Sequence, residues 1–179
     1  MNRKILIVIL FLLLVSADHY KVIAQPTGTR IKQADSAYPE SIIWFSQPHE
    51  VDEIRLLLQE GKKALAVKKA RAYVTSLENV AGFEAQQRRY YALNALCAAL
   101  TSIGEVDNAI DACSQAITIS PARWQALNNR GTAYYISGHI DLALRDYRQA
   151  LSIVKGSKEL TDIVQHNISL AEEKKSNTN

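Results

Sequence analysis

The sequence has few residues that break helices and few that carry metal or redox chemistry. Its 179 residues include seven glycines, four prolines and two cysteines. None of its histidines stands at a metal-ligand spacing from a cysteine, aspartate or glutamate; they are His19, His49, His139 and His166. A glycine-rich phosphate loop, a nucleophile elbow and a catalytic carboxylate pair are missing from the pattern. The sequence therefore predicts a helical protein that is not an enzyme and needs no cofactor or metal.

The chain also lacks a strong charge of either sign. Its 21 basic and 18 acidic residues give a formal net charge of +3. Removal of a predicted signal segment that contains Arg3 and Lys4 and no acidic residue lowers this charge to +1. Nucleic-acid binding depends on several phosphate contacts from lysine and arginine. We therefore predict no nucleic-acid partner.

The N-terminal residues resemble a cleavable secretion signal. A short basic segment is followed by the 11-residue apolar run Ile5–Val15, whereas a membrane-spanning helix needs about 20 apolar residues. Small residues allow cleavage after Ala17 or, as the alternative, after Ala24. We expect residues 1–17 to be removed and the mature chain to be periplasmic or secreted. If the signal is retained, the chain is tethered to a membrane.

Residues 25–47 show no helical period and are predicted to form an extended leader. Their apolar patch, residues 42–45 around Trp44, either packs on the first helices or docks a partner. A degenerate helical hairpin is predicted at 48–82, because apolar residues recur at helical spacing on both sides of Gly61. Its basic run is interpreted as a solvated face, with an acidic partner or anionic lipid as the alternative; the run comprises Lys62, Lys63, Lys68, Lys69 and Arg71.

An internal repeat follows, in which residues 90–123 align with residues 124–157 without a gap. Ten of the 34 aligned positions are identical. Gly104 and Gly138 are among them and are expected to end the first helix of each pair, where glycine adopts a left-handed conformation without steric cost. Asp107 and Asp141 then lie near the start of the second helix, where a carboxylate interacts favourably with the helix dipole.

The segment Leu127–Tyr134, followed by Gly138, Ala143, Tyr147 and Ala150, resembles a tetratricopeptide repeat. The preceding repeat matches too, except that Cys97 and Cys113 replace the usual small and aromatic residues. The resemblance implies an all-α fold: a short right-handed superhelix of antiparallel helix pairs. Its repeats are expected at 83–123 and 124–157, with a capping helix at 158–175 and a disordered tail at 176–179. The register of the first hairpin requires an insertion near residues 75–83.

The resemblance also implies a scaffold that holds a peptide or partner protein in a concave groove lined by the first helix of each repeat. Two equivalent sets of side chains occupy that face at spacings of three, four and three. The first set is Tyr91, Asn94, Ala98 and Thr101, and the second is Gln125, Asn128, Thr132 and Tyr135. Asparagine both donates to and accepts from a peptide backbone. The alternative is that Asn94 and Asn128 only cap or solvate the groove.

The two cysteines are expected to form a disulfide. Cys97 and Cys113 are symmetric about Glu105, at the turn of an antiparallel helix pair, and export would place them where disulfides persist. Two buried free thiols are the alternative.

Two other classes of function stay open at this point. One is a structural subunit of an envelope complex that assembles through its outer faces or the patch at residues 42–45. The other is a repeat module held at the membrane by an uncleaved signal. The same repeats serve many partners, so the sequence leaves the partner unidentified.

Overall fold

The computed structural model describes residues 48–178; the predicted signal, the leader at 25–47 and its patch around Trp44 lie outside the described residues. Within that range the chain forms seven α-helices and no strand, which confirms the all-α prediction. The helices are α1 His49–Gln59, α2 Lys63–Ser76, α3 Phe83–Ile103, α4 Val106–Ile119, α5 Trp124–Ile136, α6 Ile140–Val154 and α7 Lys158–Thr178. None of these seven is both long and apolar enough to cross a membrane.

The helices form a solenoid of consecutive hairpins. Helix α1 packs on α2, α3 on α4 and α5 on α6, and each hairpin also packs on the next. The first helices of successive pairs contact one another, α1 with α3 and α3 with α5, and α7 continues this row by contacting α5 as well as α6. Helices α3, α5 and α7 therefore lie side by side in one layer, and α3 and α5 carry the predicted groove residues.

Glycines and acidic residues at the helix ends explain the tight turns. Gly104 and Gly138 both have a φ of +82°, a region that favours glycine. Asp107 and Asp141 lie in the first turn of α4 and α6, but neither helix has a side-chain cap hydrogen bond. Their contribution is thus the interaction of a carboxylate with the helix dipole. Asp141 additionally pairs with Lys175, 2.6 Å away.

Small residues allow the helices of each pair to approach closely. Ala109, Ala116, Ala143 and Ala150 are completely buried. Gly131 leaves no room for a side chain, because an added Cβ would lie 2.7 Å from Cε1 of Tyr147. Glycine at this position therefore sets the distance between α5 and α6.

The predicted disulfide is present between Cys97 on α3 and Cys113 on α4. The sulfur atoms are 2.09 Å apart and the Cα atoms 5.3 Å apart. Both cysteines are completely buried in a hydrophobic core cluster that also contains Ala99 and Ala109. The bond thus joins the two helices of one repeat from inside the core.

One element boundary differs from the sequence prediction. Helix α7 runs to Thr178, so the residues predicted as a disordered tail from 176 continue the helix in the structure. The side chain of Ser176 bonds to the carbonyl of Glu173 within this last turn. Helix α3 begins at Phe83, the residue at which the repeat at 83–123 is expected to start. The predicted insertion near 75–83 corresponds to the end of α2 and the connection at 77–82.

Candidate partner-binding groove

The predicted groove residues lie on two neighbouring helices and are all half-buried. Helix α3 carries Tyr91, Asn94, Ala98 and Thr101, and α5 carries Gln125, Asn128, Thr132 and Tyr135. The core-forming residues on other sides of these helices, such as Leu93 and Leu127, are fully buried. The groove residues therefore belong to the rim of the core and remain accessible to a partner.

Asn94 and Asn128 each bridge to the next helix of the row. Oδ1 of Asn94 accepts a hydrogen bond from Nδ2 of Asn129 at 3.0 Å, and Oδ1 of Asn128 accepts one from Nδ2 of Asn167 at 2.8 Å. Among residues 48–178, no group accepts from Nδ2 of Asn94 or Asn128. An asparagine amide has two N–H donors. Both side chains are thus held by their oxygen while their donors remain available.

The two threonines of the groove use their hydroxyl protons within their own helices. Oγ1 of Thr101 donates to the carbonyl of Cys97, and Oγ1 of Thr132 donates to the carbonyl of Asn128. Thr132 also accepts from the phenol of Tyr147 at 3.1 Å. These hydroxyl protons are therefore used within the helices, and the amides are the groove's better donors.

The groove tyrosines stack against cations of the same chain. Nζ of Lys174 on α7 lies 4.4 Å from the ring centroid of Tyr135 and donates to its carbonyl oxygen at 3.0 Å. The guanidinium carbon of Arg123 lies 4.7 Å from the ring centroid of Tyr91. Each ring is ordered by a cation–π contact, which leaves its other surfaces for apolar contact.

A cluster at the start of α5 was not predicted from the sequence. The guanidinium carbon of Arg123 is 4.5 Å from the ring centroid of Tyr90, and Nη2 donates to Oε1 of Gln87. The phenol of Tyr90 donates to Oε1 of Gln125 at 3.3 Å. Burial raises the pKa of Tyr90 above its usual value, against the opposing effect of nearby Arg123. The sequence signal that was available is the aromatic pair at 90–91, 34 residues before Trp124 and Gln125.

A buried ion pair behind the groove was also missed. Asp146 on α6 is completely buried and accepts from Nε and Nη2 of Arg130 at 2.6 and 3.0 Å. Nη1 of Arg130 donates to Oγ of Ser114 on α4, so the pair connects three helices. Burial opposes the charged guanidinium, but the hydrogen bond and charge of Asp146 outweigh it and raise the pKa of Arg130.

The basic run around α2 is largely paired within the molecule. Lys69 pairs with Glu53, Arg71 with Glu105 at 2.7 Å and Lys62 with Glu60 at 2.9 Å. Such exposed pairs contribute only ~0.2–1 kcal/mol each. They favour the interpretation of this face as solvated.

The groove is suited to hold a backbone. It offers two fixed amide donors, two aromatic rings and the cations Arg123 and Lys174. Across residues 48–178, no three histidine, cysteine, aspartate or glutamate side chains lie close enough together to hold a metal ion.

Comparison with known proteins identifies one repeat. Residues 124–157 match the model of the tetratricopeptide repeat family. No curated protein sequence matches the chain significantly.

Solved structures share the fold at low sequence identity. The tetratricopeptide domain of P58(IPK) superposes with a TM-score of 0.58 at 19% identity, over 72% of this chain but only 33% of that one. The second tetratricopeptide domain of human RPAP3, solved with an HSP70 peptide, superposes with a TM-score of 0.52 at 22% identity, over 69% of this chain and 92% of that one. PcrH in complex with the chaperone-binding region of PopD superposes with a TM-score of 0.57 at 14% identity, over 73% of this chain and 91% of that one. Residues 124–157 therefore match a tetratricopeptide repeat, and the described helices have the fold of tetratricopeptide domains.

Proposed function

We propose that this chain is an exported, non-enzymatic interaction module that binds an extended segment of a partner protein across the exposed face of α3 and α5. The observation that carries the proposal is the matched pair Asn94 and Asn128, each fixed through Oδ1 with its Nδ2 donors available. Two donors in the same phase of adjacent helices can bond two separate carbonyls along one extended chain.

The surrounding side chains support a peptide rather than a compact ligand. Tyr91 and Tyr135 flank the two amides and present aromatic surface that is already ordered by Arg123 and Lys174. Aromatic side chains provide much of the contact energy at protein interfaces. Because they are ordered before binding, little conformational entropy is lost when a partner binds.

The structural relatives support the class of partner. The RPAP3 domain was solved with an HSP70 peptide, and PcrH with a region of PopD. Both share the fold of this chain at less than 25% identity, so the resemblance supports protein or peptide binding and leaves the partner's identity open. Scaffolds with this fold are generally non-enzymatic, which supports the same proposal.

Export is proposed from the signal-like N-terminus, and the disulfide is compatible with it. Residues 1–17 have the basic start, short apolar run and small residues of a cleavable signal. A disulfide such as Cys97–Cys113 persists in an oxidising compartment such as the periplasm or the extracellular space.

A second candidate function, assembly through the outer faces, is favoured by apolar side chains outside the groove. Phe83 at the start of α3 is 71% exposed and Leu56 on α1 is 53% exposed. If the chain is a structural subunit, replacing both with serine will release co-purifying envelope proteins, whereas groove substitutions will not.

The groove proposal is tested with peptides selected from a displayed library on the mature wild-type chain. Asn128→Ala combined with Tyr135→Ala should weaken their binding by about tenfold or more. Asn167→Ala is the matched control, because it removes the same interhelical hydrogen bond but leaves Asn128 in place. Selected peptides that bind the double variant as tightly as wild type would contradict the proposal.

A further inference from the structure

The two repeats join their helices differently at one equivalent pair of positions. Cys97 and Gly131 are 34 residues apart, and so are Cys113 and Tyr147. In the second repeat the ring of Tyr147 lies against Gly131, with no room for a Cβ between them. In the first repeat the same two positions are bonded covalently through sulfur. The disulfide therefore occupies the place of an aromatic ring packed against a glycine.

Helix α4 offers little else that is large to hold it on α3. Its fully buried residues are all small: Ala109, Ala112, Cys113 and Ala116. Helix α6 buries Leu144, Tyr147 and Val154 in addition to its alanines. Large apolar side chains supply most of the burial that holds one helix on another. Only Val106 and Ile110, both partly exposed, add apolar bulk from α4 to the same core. The first pair thus depends on the disulfide for a contact that the second pair makes with a ring.

We propose that this replacement makes the α3–α4 pair, and with it the Asn94 side of the groove, depend on oxidation, whereas the α5–α6 pair closes in either redox state. Closure is a thiol–disulfide exchange. One cysteine thiolate attacks an exchangeable small-molecule disulfide and releases its first thiol. The second cysteine then attacks the mixed disulfide, which forms the Cys97–Cys113 bond and releases the other thiol. The two electrons and both cysteine protons pass to the released thiols.

The loss of the bond is expected to act locally. One core cluster contains both cysteines, and its other buried residues come from α1–α4 together with Ala133. The buried residues of a second cluster all come from α5, α6 and α7. Cooperative units of this kind open with different free energies. The reduced chain should therefore open at α3–α4 and keep the second cluster closed.

The groove side of α3 is connected to the bonded cysteine. Asn94 lies three residues before Cys97, and Thr101 lies four residues after it and donates to its carbonyl. The bond from Asn129 to Asn94 joins this side of α3 to α5. Once α4 separates, α3 loses the helix that fixes its position, and the Asn94 donor no longer stays in phase with Asn128. This extension to partner binding rests on the proposed function; the redox dependence of the helix pair does not.

Hydrogen exchange, followed by mass spectrometry on the mature chain, tests the redox dependence. The oxidised chain is compared with chain that has been reduced in denaturant and refolded in excess dithiothreitol. Amide protection in α3 and α4 should fall by about a hundredfold, the loss expected for a closed loop of this length. Protection in α5 and α6 should change by less than about threefold. Unchanged protection in α3–α4, or an equal loss in all four helices, would overturn the proposal.

The matched variant is Cys97→Gly with Cys113→Phe, because it introduces the glycine–ring contact of the second repeat into the first. Phenylalanine is used because the phenol of Tyr147 donates to Thr132, whose counterpart in the first repeat is Ala98. Its α3–α4 protection should match that of the oxidised wild type and should not respond to dithiothreitol. Low protection in this variant, once folded, would contradict the equivalence of ring and bond.

Cys97→Ala with Cys113→Ala is the opposite control. It should show the open α3–α4 pattern with and without dithiothreitol, because it has neither the bond nor the ring. Full protection of α3–α4 in this variant would overturn the proposal. If the glycine–phenylalanine variant does not fold, the two redox states of the wild type and this variant still decide.

Peptide binding separates this inference from the proposed function. Peptides selected on the oxidised chain should bind the reduced chain at least about tenfold more weakly. They should bind the glycine–phenylalanine variant equally with and without dithiothreitol. Redox-dependent protection with peptides that do not require Asn128 would overturn the groove and leave the inference about the helix pair standing. Protection that is lost without any loss of peptide binding would overturn the extension to the groove.

Discussion

Arg130 and Asp146 form a two-point ion pair at the junction of α4, α5 and α6, with Asp146 completely buried and both of its oxygens bonded to the same guanidinium. Removing one member of a buried pair costs about 3–5 kcal/mol, and without Arg130 the Asp146 carboxylate keeps only the exposed Arg145, 3.7 Å away. Arg130→Met should therefore lower the free energy of unfolding, measured in urea, by about 3 kcal/mol.

Arg148→Met is the matched control for this prediction. Arg148 pairs with Glu172 at 3.0 Å on the exposed surface, so its loss should change the free energy of unfolding by less than about 1 kcal/mol. Equal effects of the two substitutions would show that the buried pair contributes no more than a surface contact.

The close approach of α5 and α6 predicts a steric effect at Gly131. An alanine Cβ there would overlap the ring of Tyr147 at 2.7–2.8 Å, and such overpacking typically costs ~1–3 kcal/mol. Gly131→Ala should lower the thermal midpoint, whereas Gly156→Ala, with nothing within 4 Å of the added atom, should not. A Gly131→Ala variant as stable as wild type would mean that Tyr147 moves aside without loss.

The disulfide is predicted to stabilise the α3–α4 pair. The bond closes a sequence separation of 16 residues, for which the chain-entropy model gives about 3 kcal/mol. Cys97→Ala combined with Cys113→Ala should lower the free energy of unfolding by about that amount. A thiol count in denaturant without reductant, on protein from its native compartment, should find none. Two free thiols would contradict the pairing.

Buried tyrosines predict a loss of stability at high pH. Burial raises the pKa values of Tyr73, Tyr90 and Tyr147 above the ordinary value of 10.0. In the unfolded chain these phenols ionise near that value. Their contribution to the free energy of unfolding is therefore complete below pH 10 and is lost as the pH rises above it. The urea concentration at the denaturation midpoint should decrease as the pH rises above 10. Tyr90→Phe should reduce that decrease. A midpoint that is constant up to pH 12 would contradict it.

Processing of the N-terminus is predicted to produce a chain that begins at Asp18 or Gln25. The basic start and short apolar run are typical of a cleaved signal. Intact-mass measurement on protein from its natural host will show which of the two residues begins the mature chain. An exported chain that still begins at Met1 would instead support the membrane-tethered alternative.

The sequence predicted those features of the fold that depend on local pattern. Helical periodicity, the 34-residue repeat and the positive φ of Gly104 and Gly138 all follow from residues close together in the chain. The symmetric placement of Cys97 and Cys113 about a turn is equally local. These features needed only the geometry of one hairpin.

The contacts that shape the groove depend instead on how successive hairpins are offset. Asn94 bonds to a residue 35 positions later, but Asn128 bonds to one 39 positions later. The repeat period alone therefore does not predict which residue each asparagine bonds to. Arg123 bonds to Gln87, which lies 36 residues earlier in the chain. Such interhelical registers are set by packing over the whole layer, which explains why the Arg123 cluster and the Arg130–Asp146 pair were missed.

Side-chain amide NMR tests most directly whether the amide donors of Asn94 and Asn128 bind a partner backbone. On titration with a selected peptide, the Nδ2 resonances of Asn94 and Asn128 should shift. The Nε2 resonance of Gln115, which donates to Asp111 on the surface of α4, should stay in place. Saturated peptide binding that leaves both asparagine amides unshifted would contradict the account.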